Sequence, residues 1–190
     1  MRKLIFFIVV LFSFVACNLD KLEPAQTKAF MKLFGDVGNT EGVDLLKLDD
    51  GYLLLGNNTN GVTTTVLIKT DLHGNTLWST SFENISASAL AKNDNSYFIV
   101  GNSINESNSL DTRMSLIKTD LAGGNHEYKS LGVTNVPYYG TGITISPSDQ
   151  QVVVCGYING LLSGSDTTFI YGYDFSLSPA WSAVQNGLPV

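Results

Sequence analysis

Hydrophobic and polar positions along this chain form short apolar runs that recur about every 45–50 residues. Three runs that end in glycine, at residues 51–56, 96–101 and 151–156, match one another position by position. A shorter apolar run precedes each of them, and another apolar run follows and ends in an aspartate. A period of this length is typical of one supersecondary unit copied along the chain, such as a propeller blade.

Each copy predicts four short strands separated by turns rich in Gly, Asn, Asp and Ser. The run at residues 52–55 is uniformly apolar, as expected of a strand buried on both faces. Residues 76–82 alternate, which favours an outer strand. No helical period of useful length follows residue 35. We therefore expect an all-β, propeller-like fold with three four-stranded blades, at about residues 41–83, 85–132 and 139–186.

An aspartate ends the third strand of each copy, and an aromatic residue follows seven or eight positions later. Asp71 and Gly74 predict a tight turn, because the carboxylate can accept backbone N–H groups and glycine tolerates positive φ. Large aromatic side chains mostly serve burial, so we expect the aromatic residues to pack between blades. The other turn aspartates are Asp120 and Asp174, and the aromatic residues are Trp78, Tyr128 and Trp181.

The spacing of Asp71, Gly74 and Trp78 resembles the tryptophan-docking motif of quinoprotein-type propellers. The whole unit is similar to repeat lipoproteins of Bacteroidota-like bacteria, over about residues 26–190. The resemblance implies an aromatic residue between neighbouring blades. It does not bring a quinone, because three units are too few and Cys155 alone cannot form the vicinal disulfide of many such enzymes. We expect no cofactor, and we expect Cys155 to be a buried small hydrophobic residue.

Residues 29–35 look like a further copy of the strand that carries Trp78, with Phe30 in the tryptophan position. Propellers usually have about four to eight blades. Three units and one orphan strand do not close such a ring by the usual strand exchange. We therefore expect an incomplete propeller that can self-associate through open blade edges. An open arc of three blades is the less favoured alternative.

The N-terminus predicts export. Arg2 and Lys3 precede an apolar stretch at residues 4–14, which is too short to span a bilayer and fits a signal peptide at residues 1–16. Residues 14–17 resemble a bacterial lipobox, which implies acylation of Cys17 and anchorage in the outer membrane of the cell envelope. Ordinary cleavage with an incidental cysteine is the alternative. We expect residues 17–27 to form a linker between the lipid and the domain, and residues 28–190 to form the repeat domain.

Charge and motifs exclude several functions. The chain has a net charge of −6 and no basic cluster, which argues against a nucleic-acid partner. His73 and His126 lie in turns without enough neighbouring ligands for a metal site. The pair Asp49 and Asp50 before Gly51 is typical of a hairpin turn and lacks the alternating ligands of a calcium loop.

These features favour a lipid-anchored binding or scaffold protein that presents propeller loops to a protein or glycan and performs no catalysis. The alternative is a carbohydrate-active propeller enzyme, or a truncated remnant of one. Such an enzyme needs acidic residues at matching positions of the innermost strands. Asp44 stands alone there, with Ser88 and Thr144 at the nearest equivalent positions.

Overall fold

The computed structural model describes residues 32–34, 39–103, 109–160 and 166–186. Within these ranges one short 3-10 helix, Ser109–Asp111, accompanies the strands, and no helix is long and apolar enough to cross a membrane. The described strands are β1 (Asn39–Leu48), β2 (Gly51–Asn60), β3 (Val62–Asp71), β4 (Thr76–Glu83), β5 (Ile85–Lys92), β6 (Ser96–Ser103), β7 (Arg113–Asp120), β8 (Glu127–Leu131), β9 (Tyr138–Ser146), β10 (Gln151–Ile158), β11 (Thr167–Asp174) and β12 (Pro179–Asn186).

These strands form three antiparallel sheets of four, each connected in sequence order. Blade 1 contains β1 to β4, blade 2 contains β5 to β8, and blade 3 contains β9 to β12. The prediction of an all-β fold with three four-stranded, blade-like sheets is confirmed. The predicted signal peptide, Cys17 and Phe30 lie outside the described residues. Of the predicted orphan strand at residues 29–35, the structure describes residues 32–34, and these three residues are not in a strand.

The core lies on both faces of blade 2. All residues from Ser96 to Gly101 are buried, because the side chains of β6 alternate between two clusters. Tyr97 and Ile99 belong to the cluster shared with blade 1, and Phe98 and Val100 to the cluster shared with blade 3. Blade 2 is therefore the layer whose central strand is covered on both sides.

The outer blades are buried on one face only. Leu53 and Leu55 of β2 are fully buried, whereas Leu54 between them is partly exposed. In β10, Val154 is fully buried and the next residue, Cys155, is exposed. Two predictions were therefore wrong: the strand at residues 52–55 is not buried on both faces, and Cys155 is not a core residue. A uniformly apolar strand can be covered by another sheet on each of its faces. In blades 1 and 3, a described sheet covers only one face of the strand.

The first strand of each blade carries a β-bulge. The register shifts at Val43 in β1, at Ser88 in β5 and at Thr141 in β9. Each bulge lies opposite the glycine that follows the apolar run of the second strand. A bulge bends its strand and increases the local twist, so the repeated bulge shapes the three blades in the same way.

Candidate functional site

The predicted aspartate turn forms in all three blades. Oδ1 of Asp71 accepts hydrogen bonds from the backbone N–H groups of His73 and Asn75, both at 2.8 Å. Oδ1 of Asp120 and Oδ1 of Asp174 do the same two and four residues ahead, at 2.8–3.0 Å. Gly74 has a φ of 74°, as the turn requires.

These hydrogen bonds lower the pKa of the turn aspartates in blades 1 and 2. The backbone N–H of Asn75, followed by its side-chain amide, lowers the pKa of Asp71 below the ordinary aspartate value. The backbone N–H of Gly124 lowers the pKa of Asp120 in the same way. Both aspartates are only partly buried, and hydrogen-bond donors that favour the charged form outweigh the opposing effect of desolvation on the pKa.

In the third turn a leucine replaces the glycine. Leu177 has a φ of 58°, whereas Gly74 and Gly123 occupy this position in the other blades. The left-handed conformation costs a residue with a Cβ roughly 1–2 kcal/mol. The Leu177 side chain is only 5% exposed and belongs to the core between blades 2 and 3. Burial of a leucine, worth about 1.5–3 kcal/mol, offsets this backbone cost.

Trp78 packs across the junction between blades 1 and 2. Its ring is partly buried against the first core cluster, and its centroid lies 6.2 Å from that of Tyr97. A Cβ added at Gly123 would lie 2.7 Å from this ring, so the indole rests directly on the β7–β8 turn of blade 2. The geometry is that of a tryptophan docked on the next blade.

Tyr128 does not occupy the equivalent position. Trp78 pairs with Lys69 in the register of blade 1, and Glu127 pairs with the matching Lys118 in blade 2. Glu127 there forms an ion pair with Lys118 at 2.7 Å. Tyr128 points to the opposite side of β8 and is 57% exposed. The Tyr128 ring instead lies edge-on to Phe82 of blade 1, with centroids 6.3 Å apart. Tyr128 therefore packs against the preceding blade, and only its expected place in the docking position was wrong, because it lies one position beyond it.

Trp181 occupies the docking position of blade 3 without docking on a described blade. It pairs with Gly172, and its ring lies over that glycine of its own sheet. Its Nε1–H donates to Oε1 of Gln151 at 2.7 Å. The ring is 42% exposed. Phe30, the fourth predicted packing residue, lies outside the described residues.

Two asparagines that sequence reasoning missed join the blades. Nδ2 of Asn57 in blade 1 donates to the Ala87 carbonyl at 2.9 Å, and Oδ1 accepts from the Ala87 N–H at 2.8 Å. Oδ1 of Asn102 in blade 2 accepts from the Gly140 N–H of blade 3 at 2.8 Å. The bulges in β5 and β9 free these backbone groups. Blade 3 carries Tyr157 at the matching position.

A repeated sequence pattern indicates the role of these two asparagines. Gly-Asn occurs at residues 56–57 and again at residues 101–102, each time after the matching apolar run. Asparagine is a poor strand residue, so its repetition inside a strand indicates a specific hydrogen bond. The asparagines are visible in the sequence, but the backbone groups on the next blade to which they bond are not.

Asp44 also has a structural contact. Its Oδ2 accepts the N–H of Leu90 in blade 2 at 2.9 Å, and its Oδ1 accepts the N–H of Leu45 at 2.8 Å. The register places Ala89 and Gly142 at the equivalent positions. The expected equivalents Ser88 and Thr144 were therefore wrong, because the bulges shift the alignment.

A cleft shared by the three blades lies at one end of the inner strands. We call this end the turn rim, defined by the turns at residues 49–50, 93–95 and 147–150. The cleft has a volume of about 760 Å³ and draws its walls from all three blades. Its apolar side chains are Leu46, Leu90, Ala91, Ile143, Ile145, Pro147 and Phe175, and its polar ones are Lys92, Asn93, Asp94, Asn95, Thr144 and Gln150.

A second, smaller cleft of about 360 Å³ lies on the turn rim between blades 1 and 2. Lys47, Lys69 and Lys92 line it together with Asp50 and Tyr97. Nζ of Lys69 donates to Oδ2 of Asp50 at 2.7 Å, which lowers the pKa of Asp50. Burial raises the pKa of Tyr97.

The two histidines are apart from any ligand cluster. His73 lies in the β3–β4 turn, and the ring of His126 packs edge-on against Phe82 with centroids 5.0 Å apart. Within the described ranges, no group of three His, Cys, Asp or Glu side chains is arranged to hold a metal ion.

Comparisons with known proteins give a distant structural likeness. No protein-family model and no curated protein matches the chain. Cobalt-substituted apocarotenoid oxygenase (ACO) of Synechocystis aligns with 72% of this chain and 35% of its own, at 12% identity and a TM-score of 0.44. An ACO/RPE65 chimera aligns over the same shares at 10% identity and a TM-score of 0.43. The chain spans about a third of these structures, and values this low assign no function.

Proposed function

We propose that this chain is a lipid-anchored binding protein of the bacterial cell envelope that holds a protein or glycan partner in the cleft of the turn rim and performs no catalysis. The anchor rests on the signal-like residues 1–16 and on Cys17. The binding role rests on the cleft. The two parts are independent, and each has its own test.

The observation that carries the binding role is the convergence of all three blades on one cleft of about 760 Å³. Binding sites commonly combine apolar walls with a few polar groups that fix orientation. Leu46, Leu90 and Ile143 supply such walls, and the amides of Asn95 and Gln150 supply polar groups at the edge.

The hydrogen bonds of Asp44 also favour binding over glycoside hydrolysis. Hydrolysis of a glycosidic bond usually needs a pair of carboxyl groups that flank it. Both oxygens of Asp44 accept backbone N–H groups, and the equivalent positions in blades 2 and 3 hold Ala89 and Gly142. This carboxylate therefore joins blades 1 and 2.

Blocking the cleft tests the binding role. The probes are neutral oligosaccharides of the cell envelope and peptides from envelope proteins, titrated by calorimetry into the chain from residue 17 with Cys17→Ser. We expect one class of probe to bind and Asn95→Trp, at the cleft edge, to abolish that binding. Asn60→Trp, at an exposed hairpin on the opposite rim, is the matched control and should bind normally. Unchanged binding by the Asn95→Trp protein would refute the proposal that the cleft is the binding site.

Replacing Cys17 tests the anchor. The native protein should fractionate with membranes and partition into detergent, because several acyl chains hold it there at about 0.8 kcal/mol per buried CH₂. A Cys17→Ser protein should be released in soluble form. Equal membrane association of the two proteins would contradict lipidation without affecting the test of the cleft.

A further inference from the structure

Blade 3 exposes the side chains that, in blades 1 and 2, are buried against the next blade. The register aligns Leu55, Val100 and Cys155, each directly before the glycine that ends the apolar run. Leu55 is 1% exposed and Val100 0%, whereas Cys155 is exposed. Ile170 is also 37% exposed, whereas the matching residues Leu67 and Leu116 are fully buried. With Trp181, these residues form the outward face of blade 3.

The opposite face of blade 1 matches the surface on which such a face docks. Tyr52 and Leu54 correspond to Tyr97 and Ile99 of blade 2, which are buried against blade 1. In blade 1 the two side chains are only partly buried. With Gly42 they form the outward face of blade 1.

Gly42 gives a second, independent indication. The matching residues in the next blades are Ala87 and Gly140, each in contact with the preceding blade. A Cβ at Gly140 would lie 2.5 Å from Met114 of blade 2. A Cβ at Gly42 would meet nothing within 4 Å. Position 42 thus has the small residue that a docked blade requires, although no described blade of the same chain contacts it.

We propose that the chain self-associates head to tail, with the outward face of blade 3 docked on the outward face of blade 1 of a second copy. The contact repeats the geometry that already joins blades 1, 2 and 3, and it is independent of the partner cleft. A heterologous contact forms a ring when its rotation closes and a filament when it does not. Two copies bring six blades together, within the usual range of about four to eight blades for a ring, so the assembly is a dimer.

The intermolecular junction is weaker than the junctions within the chain. Asn57 and Asn102 bond to the backbone of the next blade, but blade 3 has Tyr157, which stacks on Tyr139 of its own sheet at 4.9 Å. The docked copy therefore lacks these hydrogen bonds, and we expect reversible dimerisation. Tyr157→Asn restores an amide that can reach the backbone of Gly42 in the second copy, and it should tighten each of the two junctions of the dimer by about tenfold.

Sedimentation of the Cys17→Ser chain from residue 17 over a concentration series tests the proposal. The chain in which both outward faces are unmodified should show a monomer–dimer equilibrium. Gly42→Trp and Trp181→Asp each change one face, and each should weaken dimerisation by more than about tenfold. Val62→Asp, at the exposed hairpin between β2 and β3, is the control and should dimerise normally. Ile170→Asp replaces Trp181→Asp if the latter does not melt cooperatively.

Mixing the two variants separates head-to-tail contact from a contact between identical faces. The Gly42→Trp protein retains an intact blade 3 face, and the Trp181→Asp protein retains an intact blade 1 face. Their mixture should therefore form a heterodimer through one junction, although each alone is monomeric. A wild-type chain that remains monomeric at every concentration would overturn the proposal. A dimer that neither variant weakens, or a mixture that remains monomeric, would overturn it too.

Discussion

At the scale of single residues, the same sequence position has different roles in different blades. Trp78 and Trp181 each lie seven residues after a turn aspartate. Trp78 is partly buried on Gly123 of the next blade, and Trp181 is 42% exposed over Gly172 of its own blade. The sequence spacing sets the direction in which the side chain points. The neighbouring sheet decides whether it is buried there.

The two tryptophans form a matched pair for mutation. Trp78→Ala should lower the free energy of unfolding by about 3 kcal/mol, because it leaves a cavity between two blades. Trp181→Ala should change it by less than about 1 kcal/mol, as for exposed positions. Urea unfolding of dilute protein measures both. Equal losses would mean that Trp78 does not dock between the blades.

The turn aspartates couple folding to pH. Hydrogen bonds lower the folded-state pKa of Asp71 and Asp120, and the Lys69 ammonium lowers that of Asp50. A lowered folded-state pKa contributes stability that is fully present above the unfolded value of about 3.9 and is lost as pH falls through the folded-state pKa. The chain should therefore lose stability on acidification below about pH 4.

Asp71→Asn tests this coupling at one turn. The amide oxygen can still accept the N–H groups of His73 and Asn75, but the side chain no longer titrates. The urea midpoint of the variant should therefore fall less between about pH 5 and pH 2 than that of the native chain. Asn60→Ala, at an exposed position of β2 without a titratable group, is the control and should keep the native slope. An unchanged slope for Asp71→Asn would show that the turn carboxylate is not coupled to folding.

At the scale of elements, the junction between blades combines apolar packing with directed hydrogen bonds. Leu53 and Leu55 pack against Ile99 of blade 2, within one core cluster. Asn57, two residues beyond Leu55, holds both backbone groups of Ala87. Apolar packing alone tolerates sliding, whereas these bonds fix the position of one blade on the next.

Asn57→Ala should destabilise the chain by about 1–3 kcal/mol, because it leaves the Ala87 carbonyl at the junction without its donor. The Ala87 N–H keeps Oγ1 of Thr65 as an acceptor, at 3.0 Å. Asn60→Ala, an exposed asparagine three residues further along the same strand, should change stability by less than about 0.5 kcal/mol. Thermal or urea unfolding compares the two. If both variants unfold like the native chain, the asparagine does not secure the junction.

The sequence predicted the strands and turns well, but it predicted less well which side chains another sheet covers. The period, the strands and the turn aspartates follow from local pattern, and Asp71, Asp120 and Asp174 form the turns expected of them. The burial of Cys155 was mispredicted, because burial depends on whether another sheet covers the face. Tyr128 was misplaced, because its spacing differs by one residue and one residue reverses the face of a strand.

At the scale of the whole molecule, three blades pack face to face, and the first and last each have one face that no described blade covers. The cleft on the turn rim depends on this arrangement, because Leu46, Leu90 and Ile143 come from three different blades. The proposed dimer depends on it as well. The stacking of the blades is thus the claim on which both proposals rest.

Thiol accessibility at positions 55, 100 and 155 tests this claim most directly, because these positions are equivalent in successive blades. Leu55→Cys and Val100→Cys are made with Cys17→Ser and Cys155→Ser, and each is compared at low concentration with the chain that retains Cys155. We predict rapid labelling of Cys155 by a maleimide, and labelling of the thiols at positions 55 and 100 only in denaturant. Labelling at position 100 as fast as at Cys155 would contradict the stacked arrangement.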